Sequence, residues 1–264
     1  IEAELNWIDY LHHRGASVHR PLRSAQGRFV ERVSSGGKDF LVTSFDWLQG
    51  RVLEDEEVNH AVIREWGRTI GRLHRLTKDY TPPAGSEKRF SWSTDDDVVN
   101  MEGYLHGDQQ DVVEKFRKLI ANMGELPVNR DCYGLIHSDI HNENFMWNEG
   151  GISLFDFDDC HYIWFALDLA TVWYCALYLP AGEGRLKEYL KEFSSEFMDG
   201  YSMENSLDPV WLERIPLFLK YQEMLLYVYF NRITDMENMS QREKETMERY
   251  RNRILNDVPW FGRI

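Results

Sequence analysis

Residues 137–145, HSDIHNENF, place two histidines, an aspartate, a glutamate and two asparagines between the apolar runs GLI and FMW. The apolar flanks predict short buried strands, where unpaired polar groups are costly, so the polar residues must form a loop with defined partners. A second polar stretch, DFDD, begins at position 156, after a turn at 148–151 and the apolar run ISLF. The chain must therefore fold so that a short hairpin joins two polar loops.

The first polar loop has three interpretations. In the first, His137, Asp139 and His141 share one face of a strand and bind a metal ion, with further carboxylates from residues 156–159. In the second, the loop is a polar turn whose side chains bond to its own backbone. In the third, the pattern H-x-D-x-x-x-x-N is the catalytic loop of a phosphotransferase, followed by a metal-binding aspartate. The third is favoured because it gives most of the polar residues a role.

Phosphoryl transfer accounts for the spacing within the two loops. The reaction needs a carboxylate beside the acceptor hydroxyl, for which Asp139 is the candidate, and oxygen ligands for Mg²⁺ nearby. Asn144 offers a neutral amide oxygen, and Asp156, twelve residues later, offers a charged one. Because carboxylates at such close quarters repel each other without a cation, the cluster predicts bound magnesium.

The rest of the chain predicts an α+β fold. Residues 2–12 have helical spacing, and RFVERV and DFLVTSF, joined by SSGGK, predict an antiparallel hairpin with a simple turn. Amphipathic helices are predicted from 58 to 73 and from 112 to 120, and everything after Leu167 is predicted to be helical. The predicted division is residues 1–48, a helix with a hairpin, and residues 49–264, a helical part that carries both polar loops.

Charge and composition narrow the function classes. The chain has 44 acidic and 30 basic residues and a net charge of -14, which argues against a nucleic-acid groove and favours cationic ligands. Its three cysteines have no CxxC spacing, so a cytoplasmic location is expected. No apolar run is long enough to span a membrane. Since the first residue is isoleucine, we expect the chain to begin within a longer gene product.

The motifs HSDIHNEN, LFDFDD and ALDLA resemble the catalytic loop, the metal-binding strand and the following helix of the aminoglycoside phosphotransferase and choline kinase family. This family includes homoserine kinases of the second type. DFDD in place of the DFG of protein kinases favours its small-molecule branch. The resemblance implies transfer of a γ-phosphoryl group from ATP or GTP to a hydroxyl. It also implies that Asp139 is the base, Asn144 and Asp156 are magnesium ligands, His137 is a structural loop residue and Asp168 is a buried anchor.

The resemblance further implies a protein-kinase-like fold of two lobes, with a mostly helical C-terminal lobe. The family places a glycine-rich loop and a phosphate-binding lysine before the first helix, and this chain has neither, so a truncated N-terminal β-lobe is expected. A hinge at 44–47 would hydrogen-bond adenine, and Glu4 would pair with that lysine. The residues implied to bind ATP are Glu4, Ser44, Phe45, Asp46, Trp47, Met146 and Phe155. Met146 and Phe155 could equally be core residues.

The identity of the acceptor molecule is the part of the function that the sequence specifies least. The residues implied to contact an acceptor or a second metal ion are Glu143, Asp158, Asp159, Tyr221, Glu223 and Tyr227. The last three lie on a helix predicted from 216 to 232 and could equally be core or surface residues. The surplus carboxylates and the net charge predict a small hydroxylated acceptor with an amine. A protein Ser/Thr kinase and a catalytically silent binding module are the alternatives.

Overall fold

The computed structural model describes residues 1–105, 107, 109–149, 151–182, 184–234 and 238–260. Its helices are α1 (Glu2–His13), α2 (His60–Thr77), α3 (Asp96–Val99), α4 (Met101–Tyr104), α5 (Gln110–Gly124), α6 (Ala166–Ala176), α7 (Leu186–Ser202), α8 (Val210–Glu213), α9 (Ile215–Ile233) and α10 (Gln241–Leu255). Its strands are β1 (Glu31–Ser35), β2 (Lys38–Val42), β3 (Tyr133–Ile136), β4 (Phe145–Asn148), β5 (Gly151–Leu154) and β6 (His161–Trp164). None of the helices described is both long and apolar enough to cross a bilayer. The mixture of small sheets and many helices confirms the α+β prediction.

The N-terminal part of the chain combines α1 with a short stretch of paired backbone. Leu22 N donates to Ser44 O at 2.8 Å, and Asp46 N donates to Arg20 O at 2.9 Å. These hydrogen bonds pair the segment after α1 with the segment that leads to the helical part. β1 and β2 extend from this pair as the predicted antiparallel hairpin. Almost every residue of this hairpin is solvent exposed, which the apolar residues of its sequence did not predict.

Gly50 ends the connection between the two parts. Its φ is 117°, and a Cβ at this position would lie 2.5 Å from the backbone oxygen of Trp147. Arg51 and Trp147 exchange backbone hydrogen bonds of 3.2 and 2.8 Å, so the connection is fastened to β4 immediately after the glycine. Only glycine satisfies both the conformation and the close approach. The division of the chain at residue 48 stays a prediction.

The two polar loops lie side by side because of how the strands pair. β3 pairs with β6, and β4 pairs with β5, both antiparallel. The first polar loop connects β3 to β4 and the second connects β5 to β6, so both cross between the same two ribbons. The strands predicted at FMW and ISLFDF are confirmed as β4 and β5, although β5 ends at Leu154, before the last three residues of the predicted run. Their predicted turn at 148–151 includes Gly150, which lies outside the described residues.

The helical part is built on a close crossing of α2 and α7. A Cβ on Gly67 would lie 1.9 Å from Phe197 O, and one on Gly200 would lie 1.8 Å from Arg64 O. A Cβ on Gly71 would also meet the backbone of α7, at 2.5 Å. The backbones of the two helices are therefore in direct contact. This crossing fixes α2, which supplies one of the supports of the catalytic loop described below.

We predict that Gly67→Ala lowers the free energy of unfolding by about 3 kcal/mol or more, because the helices must separate to admit the methyl group. The matched control is Gly103→Ala in α4, where a Cβ would meet nothing within 4 Å. This control should be neutral or stabilising, by up to about 1 kcal/mol, because alanine favours helix. Urea unfolding followed by circular dichroism measures both. Equal stabilities of the two variants would contradict the close crossing.

Candidate active site

The loop after β3 is held by the carboxylate of Asp168, which lies in the first turn of α6 and is fully buried. Its Oδ1 accepts a hydrogen bond from Ser138 N at 2.8 Å, and its Oδ2 accepts one from His137 N at 3.3 Å. Oδ2 also lies 2.9 Å from Nε2 of His74 in α2. Ser138 has a φ of 77°, a conformation that non-glycine residues rarely adopt. The two backbone hydrogen bonds to Asp168 hold the loop in this conformation.

His137 links the two polar loops. Its side chain is fully buried, and its Nε2 lies 2.9 Å from the backbone oxygen of Phe155. Since a carbonyl oxygen can only accept, Nε2 carries the proton. Burial lowers the pKa of His137, so the ring is neutral at physiological pH. Among the described residues no group of three or more His, Cys, Asp or Glu side chains could hold a metal ion, which contradicts the interpretation of His137, Asp139 and His141 as a metal site.

Asp139 extends from the loop with 45% of its side chain exposed. Asn144 Nδ2 donates to Asp139 Oδ2 at 2.9 Å, and His141 Nε2 lies 3.3 Å from the same oxygen. Burial opposes ionisation of Asp139, but the hydrogen bond and charge of His141, with smaller contributions from His137 and Asn144, outweigh it and lower the pKa of Asp139. The carboxylate is therefore ionised at neutral pH, as a proton acceptor requires.

Three more carboxylates follow β5, those of Asp156, Asp158 and Asp159. Partial burial raises the pKa of Asp156, and the charge of Asp158 and a hydrogen bond to it add to the effect. Partial burial also raises the pKa of Asp159 to about 6, and the neighbouring carboxylates contribute to this rise. Raised pKa values of this origin mean that negative charge is crowded, and a bound cation relieves the repulsion.

Asn144 and Asp156 together offer oxygen ligands for a divalent cation. Phe155 N donates to Asn144 O at 3.1 Å, which brings the residue before Asp156 against the catalytic loop. Because the amide nitrogen of Asn144 faces Asp139, its amide oxygen faces away from that carboxylate. No group of three or more His, Cys, Asp or Glu side chains in the described part of the chain could hold a metal ion by itself. The donor set therefore fits Mg²⁺ that arrives with nucleotide phosphates and keeps waters.

The hinge residues assigned to the nucleotide lie at the entrance to the helical part. Ser44 O and Asp46 N already pair with the segment after α1, so the backbone groups of Phe45 and Trp47 face the opposite side. The ring of Phe45 stacks on His19, with centroids 4.1 Å apart. The side chain of Trp47 is 86% exposed. The hinge thus has backbone groups directed away from its own strand partner.

The other nucleotide candidates are spread over three elements. Met146 on β4 and Phe155 after β5 are both half-buried, so neither is a plain core residue. Glu4 Oε2 on α1 lies 3.7 Å from Nη1 of Arg89. Burial raises the pKa of Glu4, and the positive charge of Arg89 opposes this rise. Glu4 therefore has a basic partner within this chain, which the sequence did not predict.

The burial of Tyr221, Glu223 and Tyr227 contradicts their assignment to the acceptor. All three side chains lie in the core along α9 and are at most 3% exposed. Glu223 Oε1 accepts a hydrogen bond from Arg253 Nε of α10 at 2.7 Å, and Tyr227 Oη donates to Gln109 Oε1 at 2.6 Å. These contacts join α9 to its neighbours and give Glu223 and Tyr227 partners within the core.

Two unpredicted neighbours surround the base instead. Asp55 Oδ1 accepts a hydrogen bond from Asn142 Nδ2 at 2.9 Å, so a carboxylate from just beyond the hinge reaches the catalytic loop. Burial raises the pKa of Cys175 on α6 to about 12, and the charges of Asp139, Glu143 and Asp55 reinforce the rise. These three carboxylates therefore all contribute negative charge in the neighbourhood of Cys175. The acidic run EDEE at 54–57 was the one sequence signal that pointed to Asp55.

Comparison with known proteins identifies the family of this chain. The model of the phosphotransferase enzyme family matches residues 1–202. The chain is 35% identical over 258 residues to the amicoumacin kinase of Bacillus subtilis (strain 168), and the match covers 97% of this chain and 76% of that protein.

Solved structures agree with the sequence comparison. An amicoumacin kinase in complex with AMP-PNP, Ca²⁺ and Ami has a TM-score of 0.91 at 34% identity, over 97% of this chain and 77% of that one. A microcompartment-associated aminopropanol kinase has a TM-score of 0.72 at 23% identity, over 96% of this chain and 78% of that one, and supports the fold alone. These matches confirm the predicted protein-kinase-like α+β fold with a small β-lobe. The chain belongs to the phosphotransferase enzyme family.

Proposed function

We propose that this chain is an ATP-dependent kinase that phosphorylates a hydroxyl of a small, amine-bearing molecule. The observation that carries the proposal is the arrangement of an ionised Asp139, held by Asn144, beside the loop that bears Asp156. A relative that is a kinase of amicoumacin, and a similar kinase with AMP-PNP and Ca²⁺ bound, support a nucleotide donor, a divalent metal and a small acceptor. Mg²⁺ as the metal, GTP as an alternative donor and a cytoplasmic location are further parts of the proposal.

Asp139 acts on the acceptor hydroxyl. His141 and Asn144 both contact Oδ2 of Asp139, which leaves Oδ1 to accept the hydrogen bond of the hydroxyl and then its proton. Because the carboxylate is fixed on one side, the hydroxyl is oriented before transfer, which lowers the entropic part of the barrier. A metal ion held by Asn144 and Asp156 would neutralise the phosphate charge when the nucleotide is bound.

The nucleotide base is recognised by the hinge. The backbone groups of Phe45 and Trp47 are directed away from the strand partner of the hinge, which makes them the donors and acceptors for the adenine edge. Met146 and Phe155, both half-buried, supply apolar surface below the ring, as ligand pockets require. Glu4 remains the candidate partner of a phosphate-binding lysine, alongside its contact with Arg89.

The acceptor amine lies near the carboxylates of Glu143 and Asp55. Glu143 is 77% exposed, and its Oε2 lies 3.7 Å from His141 Nδ1, so its charge is available at the edge of the loop. Asp55, which accepts a hydrogen bond from Asn142, adds a second charge beside the loop. An amine placed between them gains charge-assisted hydrogen bonds while its hydroxyl reaches Asp139. Asp158 and Asp159 are the alternative site for the amine or for a second metal ion.

We predict that Asp139→Asn in the full-length protein lowers kcat by about 100-fold or more, because the proton acceptor is lost, while the affinity for Mg²⁺–AMP-PNP stays nearly unchanged. Asp156→Ala should instead weaken binding of Mg²⁺–AMP-PNP by about tenfold or more, because an oxygen ligand is removed. Asp131→Asn, at an 82% exposed side chain, is the control and should change neither. Steady-state kinetics and titration calorimetry measure the two effects. The reverse pattern would exchange the two roles, and no change in either variant would favour a silent binding module.

We predict that acceptors carrying an amine have a higher kcat/KM than neutral polyols of similar size, and that this advantage shrinks as salt rises, because screening weakens attraction. Glu143→Gln should raise KM for the amine acceptors by about three- to tenfold, the cost of one charge-assisted hydrogen bond, and leave the KM of polyols unchanged. The matched control is Glu149→Gln, at the far end of the β4–β5 hairpin. Equal use of polyols, or phosphorylation of protein substrates alone, would contradict the proposed acceptor.

A further inference from the structure

The backbone of Asp156 adopts a conformation that must be stabilised by neighbouring residues. Its φ is 63°, in the left-handed region, where a non-glycine residue costs about 1–3 kcal/mol and persists only if its surroundings hold it. On the N-terminal side the support is visible. Phe155 N donates to Asn144 O at 3.1 Å, and Phe155 O accepts from His137 Nε2 at 2.9 Å. Both groups belong to the catalytic loop.

On the C-terminal side of Asp156 the support comes from Arg89, in the segment between α2 and α3. Its Nε donates to Cys160 O at 2.5 Å, and its Nη2 donates to the backbone oxygen of Asp158. One edge of the planar guanidinium, formed by Nε and Nη2, therefore binds two carbonyl oxygens of the same turn. A second hydrogen bond, from Cys160 N to Phe157 O at 3.0 Å, closes that turn.

Arg89 is itself held in place. Its side chain is only 14% exposed, and its Nη1 lies 3.7 Å from Glu4 Oε2 on α1. The next residue, Phe90, stacks on His161 with centroids 5.2 Å apart, and its backbone oxygen accepts from Tyr162 N at 3.0 Å. The segment that carries Arg89 is thus fastened to β6, so the guanidinium is fixed relative to the turn that it binds.

The charge of Arg89 has a second effect. The turn that it binds carries Asp158 and Asp159, whose carboxylates crowd that of Asp156. A buried guanidinium beside them offsets part of this repulsion, and it does so without occupying their carboxylate oxygens, because its hydrogen bonds go to backbone carbonyls and its ion pair is with Glu4. The carboxylates stay available for a cation.

We propose that Arg89 is a positioning residue for the metal-binding aspartate. By holding the carbonyls of Asp158 and Cys160, it fixes the left-handed backbone of Asp156 from the side opposite His137, so that the carboxylate is presented to the metal ion before the ion arrives. This inference rests on the proposed function, because it takes Asp156 as the ligand. Arg89 lies in a segment that contains none of the motifs identified in the sequence.

The test compares Arg89→Met and Arg89→Lys with Lys88→Met in the full-length protein. Lys88 is the exposed neighbour of Arg89, so its variant removes the same charge from the same segment and is the matched control. Lysine keeps the charge of Arg89 but lacks the planar fork that can bind two carbonyls at once. The first measurement is hydrogen–deuterium exchange over residues 156–162 without metal or nucleotide. The second is Mn²⁺ affinity in the presence of AMP-PNP, from electron paramagnetic resonance titration.

We expect faster exchange in this segment and a loss of Mn²⁺ affinity of about tenfold or more in Arg89→Met, the size of effect seen when groups that orient a metal ligand are removed. Arg89→Lys should lie between Arg89→Met and the wild type, and Lys88→Met should equal the wild type. Wild-type exchange and affinity in Arg89→Met would overturn the proposal, and so would full recovery in Arg89→Lys, which would leave charge as the sole contribution.

If Arg89→Met does not fold, the comparison of Arg89→Lys with the wild type still decides whether the fork is needed.

Two outcomes separate this proposal from the proposed function. If the wild type binds Mn²⁺ with AMP-PNP but phosphorylates no acceptor, the proposed function fails while the positioning role stands. If Asp156→Ala leaves Mn²⁺ affinity unchanged, Asp156 is not the ligand and the positioning role falls with that assignment.

Discussion

The carboxylate of Asp168 lies where α6, α2 and the loop after β3 meet, with none of its side chain exposed. A buried charge of this kind is stable only when its oxygens are satisfied, and here the backbone amides of His137 and Ser138 and the ring of His74 do so. The other ring nitrogen of His74 lies 2.9 Å from the hydroxyl of Tyr201 on α7. The catalytic loop therefore takes its shape from the packing of three helices.

The close crossing of α2 and α7 matters for the loop because α2 carries His74, which contacts Asp168. His74 can reach Asp168 only if α2 lies where the glycines at the crossing allow it to lie. A change at Gly67 or Gly200 acts, through the position of α2, on the same hydrogen bonds that hold Ser138 in its left-handed conformation. Stability and loop geometry are thus two results of one packing arrangement.

The sequence predicted what depends on local pattern. Strands β4 and β5 and the main helices follow from periodicity, and a spacing that phosphoryl transfer explains marks Asp139, Asn144 and Asp156 as candidates. The prediction failed for Tyr221, Glu223 and Tyr227 on α9, because helical spacing alone cannot distinguish a residue that faces the core from one that faces a ligand cleft. Glu223 illustrates this, since its charge is buried against Arg253, thirty residues away.

Arg89 could not be found from sequence for a different reason. Its partners are backbone carbonyls 69 and 71 residues further along the chain, and a carbonyl carries no side-chain signature. Any residue type at 158 or 160 would present the same oxygen. The exposed hairpin β1–β2 was also misjudged, because its apolar residues predicted strands correctly but gave no measure of their burial.

The groups that hold the two polar loops and the groups proposed to contact the acceptor differ in their exposure. Asp168, His137 and His74 are sealed in the interior, whereas Glu143 and Asp55 stand at the surface. Selection can therefore replace the surface carboxylates one at a time without unfolding the protein or displacing the base. A change of acceptor preference on this scaffold therefore requires only surface substitutions, and the buried residues that shape the loop are left in place.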